Sequence, residues 1–348
     1  MFAYRGLGIA TVCGLAVALV AEVCHGGVNS VPVVCPVCDH AFEALRLETP
    51  GARGGVERDL FARALGAQPV AYLITTCPRC YYSGYLDDFQ STGRVDAALR
   101  KAIVQDHPLR PETPITAAMK QDEIPPTTRY ALAAAVYRLR RAPAEAQGWL
   151  LLRWAWVVRE DGSYLPPTSS LMQAMREIEP RLPEIRPGTD QADRELRAVN
   201  ILTADWQEGS FDPELEPYVR LVIALVLRRH GENGAARALL VNTKRQVDPP
   251  LPAAIDRMIA SMDEERRILA AAREQIERAV TRSEVKPENR PASLYLLGEL
   301  CRRIDDEGNA RTWFDRAIAE PALDGSLRVW AIEQRELIQP LDGVPTHK

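Results

Sequence analysis

CPVC at residues 35–38 and CPRC at residues 77–80 decide how the first part of this chain folds. A C-x-x-C turn lets two sulfurs reach one ion, and two such turns supply the four thiolates of a tetrahedral zinc site. Ribbon sites usually separate the two pairs by about 15–20 residues. The longer stretch between these pairs, residues 39–76, therefore contains an insertion, for which PGARGGVERDLFARAL at 50–65 is the candidate. The predicted zinc ligands are Cys35, Cys38, Cys77 and Cys80.

Two other uses of these cysteines stay open at the level of sequence. In an oxidising compartment they could form two disulfides, either within each pair or across the pairs. Alternatively, Cys77 and Cys80 could form a redox dithiol, because LITTCPRC places them directly after a predicted strand. Two similar pairs suit one shared ion better than one redox centre, and no βαβ framework surrounds them. We therefore predict one structural Zn²⁺ per chain, with all four positions filled by cysteine.

The segments around the cysteine pairs predict a small β-rich, zinc-ribbon-like module over residues 27–95. AFEALRLET (41–49) and PVAYLITT (69–76) have the composition of strands, whereas RDLFARAL (58–65) could form two helical turns. A proline-rich stretch follows, and we predict a linker over residues 96–127.

Helical periodicity dominates the rest of the chain, so the predicted fold class is mainly α. Residues 293–321 fit the tetratricopeptide pattern, in which small residues allow two paired helices to approach closely. We predict a tetratricopeptide-like helical repeat domain over residues 128–342, with irregular steps between its copies. The positions that carry the pattern are Gly298, Ala310, Phe314 and Ala317, then Ala224, Ala236 and Leu240, and more loosely Ala134, Ala146 and Leu150.

The N-terminus predicts export. GLGIATVCGLAVALVA (6–21) is an uncharged run that suits the core of a signal peptide better than a membrane-spanning helix, which needs about 20 apolar residues. We predict a signal peptide over residues 1–26 and a periplasmic or secreted protein. The alternatives are an uncleaved N-terminal membrane anchor and a cytoplasmic protein.

Composition and motifs argue against several classes of function. A net charge of −4 disfavours a general nucleic-acid binder, which usually presents a basic face. The sequence contains no P-loop, dinucleotide fingerprint, H-E-x-x-H or G-x-S-x-G motif. The histidines, including His230 at a predicted helix end, are expected to be exposed and not catalytic. These observations favour a protein that is not an enzyme.

Several stretches also resemble a known family. CPVC with Phe42, CPRC with YYSGYLDDF, and the later stretches RYALAAAVYRL, AQGWLLLRWAWVVRE and LYLLGELCRR look like an uncharacterised bacterial family, a domain of unknown function. The resemblance covers most of residues 30–320. It implies a cysteine-rich ribbon joined to tetratricopeptide-like helices, with the four cysteines as zinc ligands, and it implies no activity.

The predicted function is that of an exported, non-enzymatic scaffold that binds a protein or peptide on its helical repeat surface. No nucleic-acid partner is expected, and a membrane contact is expected only if the N-terminal segment is not cleaved. One alternative is an extracytoplasmic thiol–disulfide protein that uses a C-x-x-C pair. A weaker alternative is a cytoplasmic zinc-ribbon protein that binds nucleic acid.

Overall fold

The computed structural model describes residues 27–48, 54–64, 68–90, 95–106, 108–182 and 191–338. The predicted signal peptide, residues 1–26, lies outside these ranges. The described chain is mainly α-helical, and a small β-rich module with the cysteine pairs precedes most of the helices. The predicted fold class is therefore confirmed at this level.

The β-rich module consists of two antiparallel hairpins, each with one cysteine pair at its turn. Strands β1 (Val28–Val34) and β2 (Ala41–Leu47) form the first hairpin, and β3 (Ile74–Thr76) and β4 (Ser83–Tyr85) form the second. Strand β3 is shorter than the strand predicted at 69–76, because Pro69–Tyr72 form a 3₁₀ turn. Proline occupies a first-turn position there, where its missing N–H costs no hydrogen bond.

In the segment between the two hairpins, the predicted helical turns at 58–65 do not form over the described residues 58–64. Residues 54–64 instead form a tight turn, here called the central hairpin. The Arg63 N–H donates to the Gly55 carbonyl at 2.9 Å, and the Glu57 N–H donates to the Phe61 carbonyl at 2.9 Å. Leu60 adopts a left-handed φ of 68° at the tip. The helical prediction was wrong because two isolated turns cannot offset the cost of helix nucleation.

The proline-rich stretch after the module also differs from a free spacer. Helix α1 (Leu86–Gln90) precedes the predicted linker range, whereas α2 (Ala97–Lys101) and the π-helical turn that continues it lie within that range. The side chains of Leu109, Ile115 and Ile124 are buried in one cluster with the cysteine module. Burying these apolar side chains fixes the stretch against the module, even though its prolines prevent regular structure.

Ten longer helices follow within the described part of the chain. They are α3 (Pro126–Leu139), α4 (Ala144–Gly162), α5 (Ser169–Ile178), α6 (Gln191–Gln207), α7 (Glu216–Arg229), α8 (Asn233–Thr243), α9 (Leu251–Thr281), α10 (Arg290–Arg303), α11 (Glu307–Ile318) and α12 (Gly325–Ile338). No helix in the described ranges has both the length and the apolar character to cross a membrane.

The small residues singled out in the sequence lie where paired helices touch. Gly298 of α10 faces the Phe314 ring of α11, and a Cβ at Gly298 would lie 2.6 Å from that ring. Ala310 and Ala317 are fully buried on the same helix as Phe314. In the α7–α8 pair, Ala224, Ala236 and Leu240 are also fully buried. Helix pairs therefore form where the pattern placed them, and the tetratricopeptide-like arrangement itself stays a prediction.

Helix α9 contributes to two apolar cores. Its first half packs with α5–α8 through residues such as Ile255 and Met258. Its second half packs with α3, α4 and α10–α12 through residues such as Leu269 and Ile276. Between the halves, the carboxylate of the buried Glu265 pairs with arginines of α4 and α7. Buried ion pairs therefore lie at the point where α9 passes from one apolar core to the other.

Candidate metal centre

The two cysteine turns have the same backbone geometry. In each, the N–H of the first cysteine donates to the carbonyl five residues later, at 2.9 Å for Cys35 and 2.8 Å for Cys77. The carbonyl of that cysteine accepts from the N–H four residues later, at 3.0 and 2.9 Å. The residue after each second cysteine is left-handed, with φ of 57° at Asp39 and 63° at Tyr81. Each turn thereby directs both of its sulfurs to one side.

The four sulfurs converge on one point. The Sγ atoms of Cys35 and Cys80 are 3.5 Å apart, those of Cys38 and Cys77 are 3.6 Å apart, and all four lie within 4.8 Å of one another. Four thiolates about 2.3 Å from a zinc ion would be separated by about 3.8 Å along each tetrahedral edge. A disulfide needs sulfurs about 2.05 Å apart. The spacing therefore fits four ligands of one ion better than two bonded pairs.

The first cysteine of each pair is shielded from solvent more completely than the second. Cys35 and Cys77 are fully buried, whereas Cys38 and Cys80 are half-buried. The cluster shares an apolar core with Tyr82, which is also fully buried. Four cysteines can fill all four positions of a tetrahedral ion, the arrangement found in structural metal sites.

The proximity of the sulfurs controls how easily they ionise. Hydrogen bonds with Cys35 and Cys80 lower the pKa of the Cys77 thiol to about 2. The hydrogen bond with Cys77 raises the pKa of the Cys35 thiol above the usual range, and hydrogen bonds with Cys35 and Cys77 raise that of Cys80, with burial and the charge of a neighbouring thiolate adding to both. A bound cation would neutralise this charge and allow the remaining cysteines to ionise.

Gln121 fixes the approach to the second turn. Its side-chain amide accepts from the Thr76 N–H at 2.9 Å and donates to the Thr76 carbonyl at 2.6 Å. Thr76 directly precedes Cys77, and both Gln121 and Thr76 are buried. The side-chain amide of Gln121 therefore makes the pair of backbone hydrogen bonds that a neighbouring strand would make with Thr76. Gln121 belongs to the stretch that was predicted to be a linker.

Helix α3 holds the same hairpin from its other side. The Arg129 guanidinium donates to the carbonyls of Ala71 and Ile74, each at 2.7 Å. The fully buried Asp88 carboxylate accepts from the Tyr137 hydroxyl and from the Arg140 guanidinium, both at 2.9 Å. These contacts join the cysteine module to the first long helix through buried, charge-assisted hydrogen bonds.

On its exposed side, the first turn contacts α2. The Arg100 guanidinium donates to the Pro36 carbonyl at 2.7 Å and pairs with the Asp39 carboxylate at 3.3 Å. The ion pair is largely exposed, so its contribution to stability is small. Its structural effect is to connect α2 to the first cysteine pair.

One expectation about a polar side chain was wrong. His230 is buried, and its Nε2 lies 3.0 Å from the Glu195 carboxylate, although its place at a helix end predicted exposure.

The buried arginines were also missed. Arg159 follows Leu152 by seven residues and Trp156 by three, so a charged side chain in the apolar stripe of a predicted helix was the signal that could have revealed them.

A comparison with protein families fits this architecture. A family model described as an uncharacterized protein conserved in bacteria, DUF2225, matches residues 30–279. The chain belongs to the DUF2225 family. The predicted family is therefore confirmed, and the match includes all four clustered cysteines. The match ends within α9, so the LYLLGELCRR stretch lies beyond the DUF2225 region. No curated protein and no solved structure matches the chain.

Proposed function

We propose that the four cysteines bind one structural zinc ion per chain, in a non-enzymatic scaffold protein that acts outside the cytoplasm. The observation that carries the metal proposal is the convergence of Cys35, Cys38, Cys77 and Cys80, whose sulfurs all lie within 4.8 Å. Because thiolates are soft ligands, a four-thiolate set favours zinc or iron over magnesium or calcium.

The surroundings of the cluster support a structural role over a catalytic one. Catalytic zinc sites use three protein ligands and leave the fourth position to water, whereas this cluster offers four cysteines. The cluster also lies in a core shared with α3, so that binding an ion there stabilises the packing of the module on the helices.

The proposed scaffold role rests on the helical part of the chain. Arrays of paired helices present extended surfaces that suit protein or peptide partners. In-cell cross-linking in the bacterium that makes the protein should give a reproducible protein partner, with cross-links to α3–α12. Cross-links confined to residues 27–95 would contradict a partner site on the helices.

Export is proposed from the sequence of residues 1–26. Terminal sequencing of the protein recovered from the producing bacterium should show removal of this segment, and fractionation should place the protein outside the cytoplasm. An intact N-terminus in the soluble cytoplasmic fraction would contradict export.

The experiment that tests the zinc site is a metal and thiol count on one sample of full-length protein purified without added zinc. We expect about one zinc per chain, with the clustered thiols protected until a chelator is added. Absence of metal together with four oxidised thiols would overturn the zinc proposal. Disulfides or thiol–disulfide exchange would then be the chemistry of this site.

A pair of cysteine variants separates a structural site from a redox site. Cys77→Ser should lose the metal and lower the free energy of unfolding by about 4 kcal/mol or more, as loss of a structural metal does. The matched control is Cys301→Ala, because Cys301 is buried in α10 outside the cluster. This variant should keep the full metal content. A Cys77→Ser protein with unchanged stability and abolished thiol exchange would favour the redox alternative.

A further inference from the structure

The two cysteine pairs flank one stretch of chain, residues 39–76, and the central hairpin lies in the middle of that stretch. Strand β2 begins shortly after Cys38 and leads toward the central hairpin, and β3 leads back to Cys77. The sulfurs of Cys38 and Cys77 are 3.6 Å apart. An ion bound to both sulfurs would close residues 39–76 into a loop with the central hairpin in its middle.

The tip of the central hairpin places charged groups deep among the helices. Asp59 is fully buried, and its carboxylate accepts from the Trp156 indole N–H at 3.0 Å and pairs with Arg159. The carboxylate of Glu57 pairs with Arg159 at 2.9 Å. The Arg303 guanidinium of α10 lies 3.7 Å from the Asp59 carboxylate. The central hairpin therefore supplies negative charge to buried arginines of α4 and α10.

Further contacts of the central hairpin reach three helices. The Phe61 ring stacks on the Trp156 ring of α4, with centroids 5.0 Å apart. The Tyr295 hydroxyl of α10 donates to the Arg58 carbonyl at 2.7 Å. The Arg58 guanidinium lies 4.5 Å from the centroid of the Trp330 ring of α12. Seating of this one short segment therefore helps to hold α4, α10 and α12 together.

We infer that metal binding at the cysteines and seating of the central hairpin among the helices are thermodynamically coupled, so that the metal-free protein loosens at the centre of its helical array. This inference rests on the proposed metal site. It adds a conformational role for residues 54–64, which lie between the two ligand pairs in the sequence and contact the helices.

The coupling follows from loop closure and reciprocity. Ordering the central hairpin costs less conformational entropy when residues 39–76 are already closed into a loop by the ion. By linkage, a seated hairpin must favour metal binding by the same factor, because it keeps Cys38 and Cys77 close together. Release of the hairpin would remove Asp59 and Glu57 from Arg159, so the helices around this guanidinium would also be destabilised.

Hydrogen exchange on the full-length protein tests one direction of the coupling. After chelation, amides of residues 54–64 and of the C-terminal half of α4 should exchange at least about tenfold faster, in line with typical coupling factors. Amides of α5 and α8, which belong to the other apolar core, should change much less. Unchanged protection of residues 54–64 after complete metal removal would overturn the coupling.

Metal affinity tests the reverse direction. Asp59→Asn keeps the shape of the side chain but leaves Arg159 and Arg303 without its charge, and it should weaken zinc binding by about tenfold in competition with a chelator. The matched control is Asp315→Asn, which removes an exposed ion pair with Arg335 on α11 and α12 and should leave the affinity unchanged. Equal affinities of wild type and Asp59→Asn would contradict the inference.

The outcomes separate this inference from the proposed function. A protein that never holds metal overturns both proposals. A protein that holds one zinc, with unchanged affinity in Asp59→Asn and unchanged hairpin protection after chelation, overturns the coupling alone. If Asp59→Asn does not fold, exchange measured on the wild-type protein still decides the question, because that experiment needs no substitution.

Discussion

At the scale of single residues, Glu299 shows how neighbouring arginines stabilise a buried negative charge. Its side chain is fully buried in α10. The carboxylate accepts from the Arg302 guanidinium at 2.9 Å and from the Arg303 guanidinium at 2.7 Å. Burial alone would raise the pKa of Glu299, but these two arginines outweigh burial and lower the pKa below its ordinary value of 4.5.

Glu299→Gln should lower the free energy of unfolding by about 3 kcal/mol at neutral pH, because two buried guanidinium groups lose a charged partner. A lowered pKa stabilises the folded state above pH 4.5, and this contribution is lost as the pH falls through the folded-state pKa. The difference in stability between wild type and variant should therefore shrink below pH 4.5. Chemical denaturation at several pH values measures it.

The control for this substitution is Glu274→Gln on α9. Its carboxylate is mostly exposed and lies 3.5 Å from the Arg278 guanidinium. An exposed pair of this kind contributes about 0.5 kcal/mol or less. A Glu299→Gln effect as small as that of the control would show that the buried carboxylate contributes nothing specific.

At the scale of elements, contact between α10 and α11 depends on Gly298. Gly298→Ala should lower the free energy of unfolding by about 1–3 kcal/mol, because the new methyl group would lie 2.6 Å from the Phe314 ring and force it to move. Gly308→Ala in α11 is the matched control, since a Cβ there meets nothing within 4 Å. That change should stabilise the protein by up to about 1 kcal/mol. Thermal unfolding of both variants provides the comparison, and equal effects would contradict a close helix contact.

Gln121 provides a second test at this scale. Gln121→Ala leaves the buried N–H and carbonyl of Thr76 without their side-chain partner and should cost about 2–4 kcal/mol. The exposed neighbour Asp122→Ala should have almost no effect. Limited proteolysis should cut residues 108–125 faster in Gln121→Ala than in Asp122→Ala. Equally rapid cleavage of wild type and both variants would show that this stretch is a free linker.

The elements also show how far the sequence alone could predict the structure. The C-x-x-C spacing predicted which cysteines meet, because each turn brings two sulfurs together and two such turns supply the four ligands of one ion. Small residues at helical spacing predicted the α10–α11 pair. Neither the tight turn at 54–64 nor the packing of Ile124 was predictable, because charged and proline-rich segments are buried here by contacts with residues distant in the chain.

At the scale of the whole molecule, α9 and its ion pairs link the two apolar cores of the helical part. The Glu265 carboxylate lies 3.4 Å from the Arg159 guanidinium of α4 and 3.2 Å from the Arg228 guanidinium of α7. Burial lowers the pKa of Arg228, and the pairing with Glu265 opposes that shift. A single carboxylate therefore stabilises charges that belong to helices of both cores.

Glu265→Ala should consequently destabilise both cores together. We expect the free energy of unfolding to fall by about 3–5 kcal/mol, because two buried arginines lose a partner. Hydrogen exchange should accelerate in α7–α8 and in α10–α11 alike. Asp263→Ala, two residues before Glu265, removes an exposed partner of Arg237 and should change the stability by less than about 1 kcal/mol. Faster exchange in one core alone would mean that the two cores unfold independently, and that α9 joins them without coupling them.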